Sequence, residues 1–140
     1  AMKARVKWVE DVMFVAESDS GHAVVLDGAA EGGGRDIGMR PMELMALSVG
    51  SCSSYDVLTI LKKSRQAVTS CVAEVTAERA DAVPAIFESM HLHFKIKGTD
   101  LSEKQVERAI ELSAEKYCSA SIMMRNAGVA VSHDYEIIKE

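Results

Sequence analysis

Gly38-Met39-Arg40-Pro41-Met42-Glu43-Leu44 leads into Met45-Ala46-Leu47 and then Ser48-Val49-Gly50-Ser51-Cys52-Ser53-Ser54. Tyr55-Asp56-Val57-Leu58-Thr59-Ile60-Leu61-Lys62-Lys63 closes the stretch. Pro41 suits the first position of a helix, where its missing N–H costs nothing. Leu44, Leu47, Cys52, Tyr55, Leu58 and Leu61 fall near helical spacing on one side. A helix over about 41–63 follows, and Lys62, Lys63 and Arg65 suit its negative C-terminal end. From Ser48 to Ser54 every residue except Val49 is small, so another helix or chain can come close.

Working outward from this helix gives strands on both sides. Residues 2–9 alternate Lys3, Arg5 and Lys7 with Ala4, Val6 and Trp8, which predicts a half-buried strand. Residues 12–16 and 22–27 read as two more, joined through the turn Ser18-Asp19-Ser20-Gly21. Gly28, Gly32, Gly33, Gly34 and Gly38 mark a flexible linker, without the spacing of a phosphate-binding loop. Beyond the helix, 70–79 and 88–97 alternate as strands, with Met90, Leu92, Phe94 and Ile96 on one face. Ser102 with Gln105 forms an N-terminal capping box for a helix over about 103–117. A short helix over 119–126 and a strand over 129–138 finish the chain. The order is βββ-α-ββ-α-α-β, an α+β pattern with mostly antiparallel strands.

The 140 residues suit a single domain, 1–140. Hydrophobic residues make up 48% and charged residues 26%, as in soluble globular proteins. The net charge of −5 and the absence of a basic stretch argue against nucleic acid as a partner. No apolar run reaches the ~18 residues of a membrane span, and the N-terminus lacks an apolar secretory segment. Three cysteines, an odd number, argue against a secreted disulfide framework. A cytoplasmic protein with reactive thiols is the expectation.

Cys52 and Cys118 lie in separate helical stretches, each among small and hydroxyl residues. Each reads either as a small buried hydrophobe or as half of a redox pair in which one thiol attacks and the other resolves. Cys71, in a strand, reads as core. A nucleophilic thiol needs a nearby cation or helix N-terminus. Cys52 has none in sequence, and Asp56 one turn later opposes ionisation. Arg35, Arg40 and Arg125 are the candidate cations, with Glu43 a helix-end charge or the partner of an arginine. Met39, Met42, Met45, Met123 and Met124 surround the two cysteine helices, and Tyr55 lies on the first of them. They read as adaptable core or as the lining of an apolar pocket. His91 and His93 share a strand face that suits either solvent or a metal, whose further ligand would come from His22 or His133. The outer-face reading is preferred, so no metal and no cofactor is expected.

These motifs resemble the OsmC/Ohr family, the osmotically inducible and organic hydroperoxide resistance proteins. The Gly38–Leu44 entry is similar to the family's Gly-Thr-Asn-Pro-Glu-x-Leu, and Cys52 follows at the family's spacing. Cys118-Ser119-Ala120-Ser121 resembles the family's Cys-Pro-x-Ser, and the order of elements agrees over essentially the full chain. The YhfA-like branch is the nearest pattern. The resemblance implies an intertwined α+β homodimer with the central helices buried between subunits and two sites at the interface. It implies a peroxidatic Cys52 and a resolving Cys118, reducing organic hydroperoxides at the expense of a dithiol in oxidative-stress defence. Small apolar hydroperoxides would bind against Met39, Met42, Met45, Tyr55 and Met123. The chain departs from the family in three places. The hairpin from Val12 to Leu26 has no arginine, Arg40 replaces the Asn before Pro41, and Ser119 replaces the Pro after Cys118. The family glutamate aligns with Met42, one residue before Glu43. Arg40, or failing that Arg35, is then expected to stand in for the missing cation with Glu43 as its partner. The alternative is a non-enzymatic ligand-binding or redox-sensing dimer.

Overall fold

A computed structural model describes residues 1–139. The strands are β1 (Ala4–Glu10), β2 (Met13–Ser18), β3 (Ala23–Leu26), β4 (Ala67–Arg79), β5 (Phe87–Thr99) and β6 (Ala130–Lys139). The helices are α1 (Pro41–Lys63), α2 (Glu103–Leu112) and α3 (Ser119–Asn126). The chain forms two compact units, Ala1–Met45 and Ala46–Glu140. The fold is mixed α+β, in the order read from the sequence.

In the first unit β1, β2 and β3 make an antiparallel meander. The half-buried character expected of β1 is absent: all of it is exposed, including Val6 and Trp8. β1 is an edge strand of this sheet, whereas β2 at its centre is mostly half-buried. The glycine-rich segment is an ordered loop, not a flexible linker. It wraps the buried carboxylate of Asp27, which accepts from the backbone N–H of Gly28 at 2.7 Å, Arg35 at 3.2 Å and Ile37 at 3.3 Å. These bonds, led by Gly28, hold Asp27 below the usual carboxylate range. Gly34 is required here because a Cβ would fall 2.0 Å from the Gly28 carbonyl oxygen.

The second unit carries β4, β5 and β6 in one sheet. β4 and β5 pair antiparallel, whereas β5 and β6 pair parallel, the exception to the antiparallel pattern. A parallel return needs a crossover, and the helices between β5 and β6 supply it. Met90, Leu92, Phe94 and Ile96 point from β5 into the core, as their alternation predicts. Val49, Val57 and Leu61 of α1 and Val106 and Ile110 of α2 are buried with them. Gly50 lets α1 approach β4, since a Cβ there would meet the Val75 side chain at 2.8 Å.

Two helix details differ from expectation. Ser102 caps α2 by accepting from Gln105 N–H at 3.3 Å, but its own N–H goes to the Gln66 side chain at 2.8 Å rather than back to Gln105. The helix expected to run to 117 is α-helical only to Leu112 and then widens into a π-turn, Ser113–Tyr117. α1 is also long enough and apolar enough to cross a membrane by length and composition, contrary to the sequence expectation. The core helix of a soluble protein passes the same test.

Candidate active site

Two of the three cysteines of the second unit, Cys52 and Cys118, meet. Cys52 Sγ, Cys118 Sγ and a carboxylate oxygen of Asp56 all lie within 4.8 Å of one another. Cys52 and Asp56 are one helical turn apart, which puts both on one face of α1. The π-turn brings Cys118 to them. Cys118 N–H closes that turn on the Ser113 carbonyl at 2.8 Å, and the chain then leaves the helix with Cys118 extended. A π-turn inserts a residue into the helical path, a distortion common at functional sites.

Cys118 is then the N-cap of α3, its sulfur accepting from the backbone N–H of Ser121 at 3.4 Å. Below the pair, Ser113 Oγ lies 3.1 Å from both the Ser53 carbonyl and the Ser53 hydroxyl, buried in each case. This serine clasp ties α1 to the π-turn one residue from Cys52. The sequence does not single this clasp out, because Ser53 reads there only as one of several small residues. The helical spacing of buried Val49, Gly50, Ser53 and Val57 was the available signal.

Burial sets the electrostatics. Desolvation pushes the Cys118 thiol up, against the pull of Ser121, and the adjacent Cys52 adds to the rise. Burial likewise raises the Asp56 carboxyl, against a hydrogen-bonding pull from the Ser113 side chain, and one of its oxygens, Oδ2, has no hydrogen-bond partner among the described residues. A cavity of about 410 Å³ adjoins Asp56, bounded by Thr59, Ile60, Lys63, Ser64, Arg108, Leu112 and Tyr117. Cys71 is half-buried, and burial raises its thiol too.

In the first unit Arg40 and Glu43 line an open cleft of about 700 Å³ with Met39, Val25, Asp36, Ile37 and Gly38. The Arg40 guanidinium binds Asp36 at 2.6 Å, and Glu43 accepts from the Arg40 backbone N–H at 2.8 Å rather than from its side chain. Arg35 is engaged by Glu10 and Asp11. Arg125, on α3, keeps Nε and Nη2 buried without partners among the described residues. Of the apolar lining read from sequence, Met39 faces the cleft. Met45, Tyr55 and Met123 are exposed and Met42 is half-buried, and none of these borders it.

His91 and His93 do share a face of β5, but the further group is not His133. The parallel register sets His133 beside Leu92 on the opposite face and Ser132 and Asp134 beside the two histidines. Asp134 Oδ1 lies 2.9 Å from His91 and 2.7 Å from His93.

A thiol pair seated between a central helix and the N-cap of a following helix, in this α+β order, defines an OsmC-type protein. The family model for OsmC-like protein matches residues 32–134, and the chain belongs to that family. Protein YhfA of Escherichia coli K12 is 44% identical over 137 residues, spanning 98% of each chain. A structural-genomics structure at 42% identity superposes with a TM-score of 0.90, covering 99% of this chain and 100% of that one. An organic hydroperoxide resistance protein OsmC from Legionella pneumophila shares the fold at 17% identity, with a TM-score of 0.74 over 97% and 96% of the two chains.

Proposed function

We propose that this protein is a thiol-dependent peroxidase that reduces organic hydroperoxides in oxidative-stress defence. The observation that carries this reading is the approach of the Cys52 and Cys118 sulfurs to within 4.8 Å. Cys52, half-exposed on α1, is the sulfur a peroxide can reach. Its thiolate attacks the terminal peroxide oxygen, the O–O bond breaks, and the alcohol leaves after taking a proton. The resulting sulfenic acid on Cys52 condenses with Cys118, forming the S–S bond and releasing water. An external dithiol then exchanges with the disulfide and is itself oxidised, returning both thiols. Burial raises the Cys118 thiol, so it ionises less readily than an exposed thiol, which suits a resolving rather than an attacking role.

The reading carries further assignments. The protein works as a single OsmC-like domain in a cytoplasmic homodimer with its sites at the subunit interface. Exposed apolar residues along α1, namely Met45, Leu47, Tyr55 and Leu58, support the dimer. Met39, Met42, Met45, Tyr55 and Met123 supply the apolar surface that favours organic peroxides over hydrogen peroxide. Arg40, oriented by Asp36 and by the backbone cap from Glu43, is the cation assigned to the Cys52 thiolate.

A second reading, a non-enzymatic redox-sensing or ligand-binding dimer, draws on Asp56. Once ionised, its carboxylate beside the sulfurs disfavours a thiolate. Intact-mass measurement after one equivalent of cumene hydroperoxide tests the first reading, with Cys52→Ser, Cys118→Ser and Arg40→Ala alongside. A Cys52–Cys118 disulfide in wild type, a trapped sulfenic acid on Cys52 in Cys118→Ser, and slowed oxidation in Arg40→Ala are expected. Thiols that stay reduced would remove the peroxidase reading. Disulfide formation without turnover on a dithiol would favour the sensor.

A further inference from the structure

We propose that Cys52, Asp56 and Cys118 form a binding site for a thiophilic divalent cation of the zinc class, and that its occupancy masks the thiol pair from oxidation. The masking rests on the peroxidase reading; the binding does not.

The geometry is largely assembled. A tetrahedral zinc ion has Zn–S bonds of ~2.3 Å and Zn–O bonds of ~2.0–2.2 Å, which places its ligand atoms roughly 3.4–3.8 Å apart. The three ligand atoms here already lie within 4.8 Å of one another. Binding would draw the three ligand atoms together by at most ~1 Å. Two ligands one turn apart on a rigid helix, with a third from another element, is a recurrent way to hold zinc.

The surroundings favour a cation. Asp56 Oδ2 is buried and has no hydrogen-bond partner among the described residues. Buried acceptors are rarely left unmatched, and an unmatched one beside two thiols calls for a proton or a metal. None of the ion pairs among the described residues involves Asp56. Cys118 is held on both sides. Its N–H is fixed on the Ser113 carbonyl, and the Ser121 N–H donates to its sulfur, an outer-shell bond that supports a metal-bound thiolate. Cys118 is fully buried while Cys52 and Asp56 are half-buried, so an ion can enter from the α1 side.

The donor set chooses the ion. Two thiolates select zinc, cadmium or cobalt over magnesium and calcium, which prefer all-oxygen shells. Binding displaces the proton of each thiol to solvent, with no change in oxidation state. With both sulfurs on the metal, Cys118 has no free thiol to condense with a Cys52 sulfenic acid. Three protein ligands leave the fourth position to water.

The test is anaerobic titration of the reduced full-length protein with cobalt(II), followed by displacement with zinc. Wild type is expected to bind one equivalent per chain and to show the near-ultraviolet thiolate-to-cobalt charge-transfer band. Cys52→Ser and Cys118→Ser should each lose most of that band, while Cys71→Ser keeps it. Asp56→Asn preserves shape but not charge. It should weaken cobalt binding at least tenfold while its far-ultraviolet circular dichroism matches wild type. Zinc-loaded protein should form the Cys52–Cys118 disulfide with cumene hydroperoxide at least tenfold more slowly, with full recovery on chelation. Absence of the charge-transfer band in reduced wild type would overturn the site, as would unchanged affinity in Asp56→Asn. Unslowed disulfide formation in the zinc-loaded protein would overturn the masking. Metal-free protein that forms the disulfide yet binds no cobalt defeats this inference alone. Protein that binds cobalt but never forms the disulfide defeats the peroxidase reading and leaves the metal site standing.

Discussion

At the residue scale, position within a turn or a ladder decides what each polar side chain does. Asp56 lies one turn beyond Cys52, and that spacing brings its carboxylate to the sulfurs. The same rule in strand form governs His91, His93 and Asp134. Period-two alternation on β5 and the parallel register with β6 set the two imidazoles on either side of one carboxylate. The hydrogen bond to Asp134 raises the His93 imidazole above its usual 6.5. The Asp134 carboxyl falls below its usual 3.8, with His93 the larger cause and His91 the next. The pH dependence follows from these directions. His93 contributes stability that is fully present below 6.5 and is lost as pH rises through its raised value. Asp134 contributes stability that is present above 3.8 and is lost as pH falls through its lowered value. Both contributions therefore coincide between those limits. Since Asp134 is exposed and His93 only half-buried, the effect is modest. Thermal unfolding of Asp134→Asn should show its largest deficit from wild type at about pH 5.5 and a smaller one at about pH 8.5. A deficit that is the same at both pH values would mean the pair contributes only neutral hydrogen bonds.

At the scale of elements, α1 is shaped by what it must approach. Its small residues from Ser48 to Ser54 serve two neighbours. Gly50 admits the Val75 side chain from β4, and Ser53 forms the clasp with Ser113. An alanine at position 50 gains about 1 kcal/mol in helix propensity but loses about 1–3 kcal/mol to overpacking. Gly50→Ala should therefore destabilise by roughly 1 kcal/mol. Val75→Ala in the same chain should recover much of that loss, read as a favourable coupling in a denaturant double-mutant cycle. Additive losses would show that the helix retreats as a body rather than pressing on Val75. Much of this scale was legible in the sequence. The 3.6-residue pattern gave α1, the alternation of Met90, Leu92, Phe94 and Ile96 gave β5, and Ser102 marked the start of α2. The π-turn was not legible, because Ser113-Ala114-Glu115-Lys116-Tyr117 carries ordinary helical composition. Its widening is fixed by the Cys118 N–H reaching back to Ser113, a bond that no local preference announces. The parallel course of β6 was equally hidden. Alternation assigns faces to a strand but says nothing of its direction beside a neighbour.

At the scale of the whole molecule, the distribution of apolar surface is the feature a single chain leaves unexplained. Val6 and Trp8 of β1 are 62% and 61% exposed, and Leu47 and Tyr55 of α1 are 51% and 73% exposed. Single exposed apolar residues need no account, but a helix with several along its length does. Their spacing puts those α1 residues on one apolar side, and the 3.6-residue period reports such a face without saying which chain covers it. The proposed homodimer would account for the α1 stripe, since a face half-covered by its own unit would be completed by a second copy. Leu58, 41% exposed and about one turn beyond the small patch, tests this without replacing Cys52, Asp56 or Cys118. A charge introduced at a dimer face must be desolvated without a partner, at a cost of several kcal/mol. Wild type should run in multi-angle light scattering at about twice its 15.2 kDa chain mass. Leu58→Asp should shift toward the single-chain mass on dilution and unfold at a lower temperature that rises with protein concentration. If Leu58→Asp keeps the wild-type mass and stability at micromolar concentration, α1 is not the face that joins the subunits.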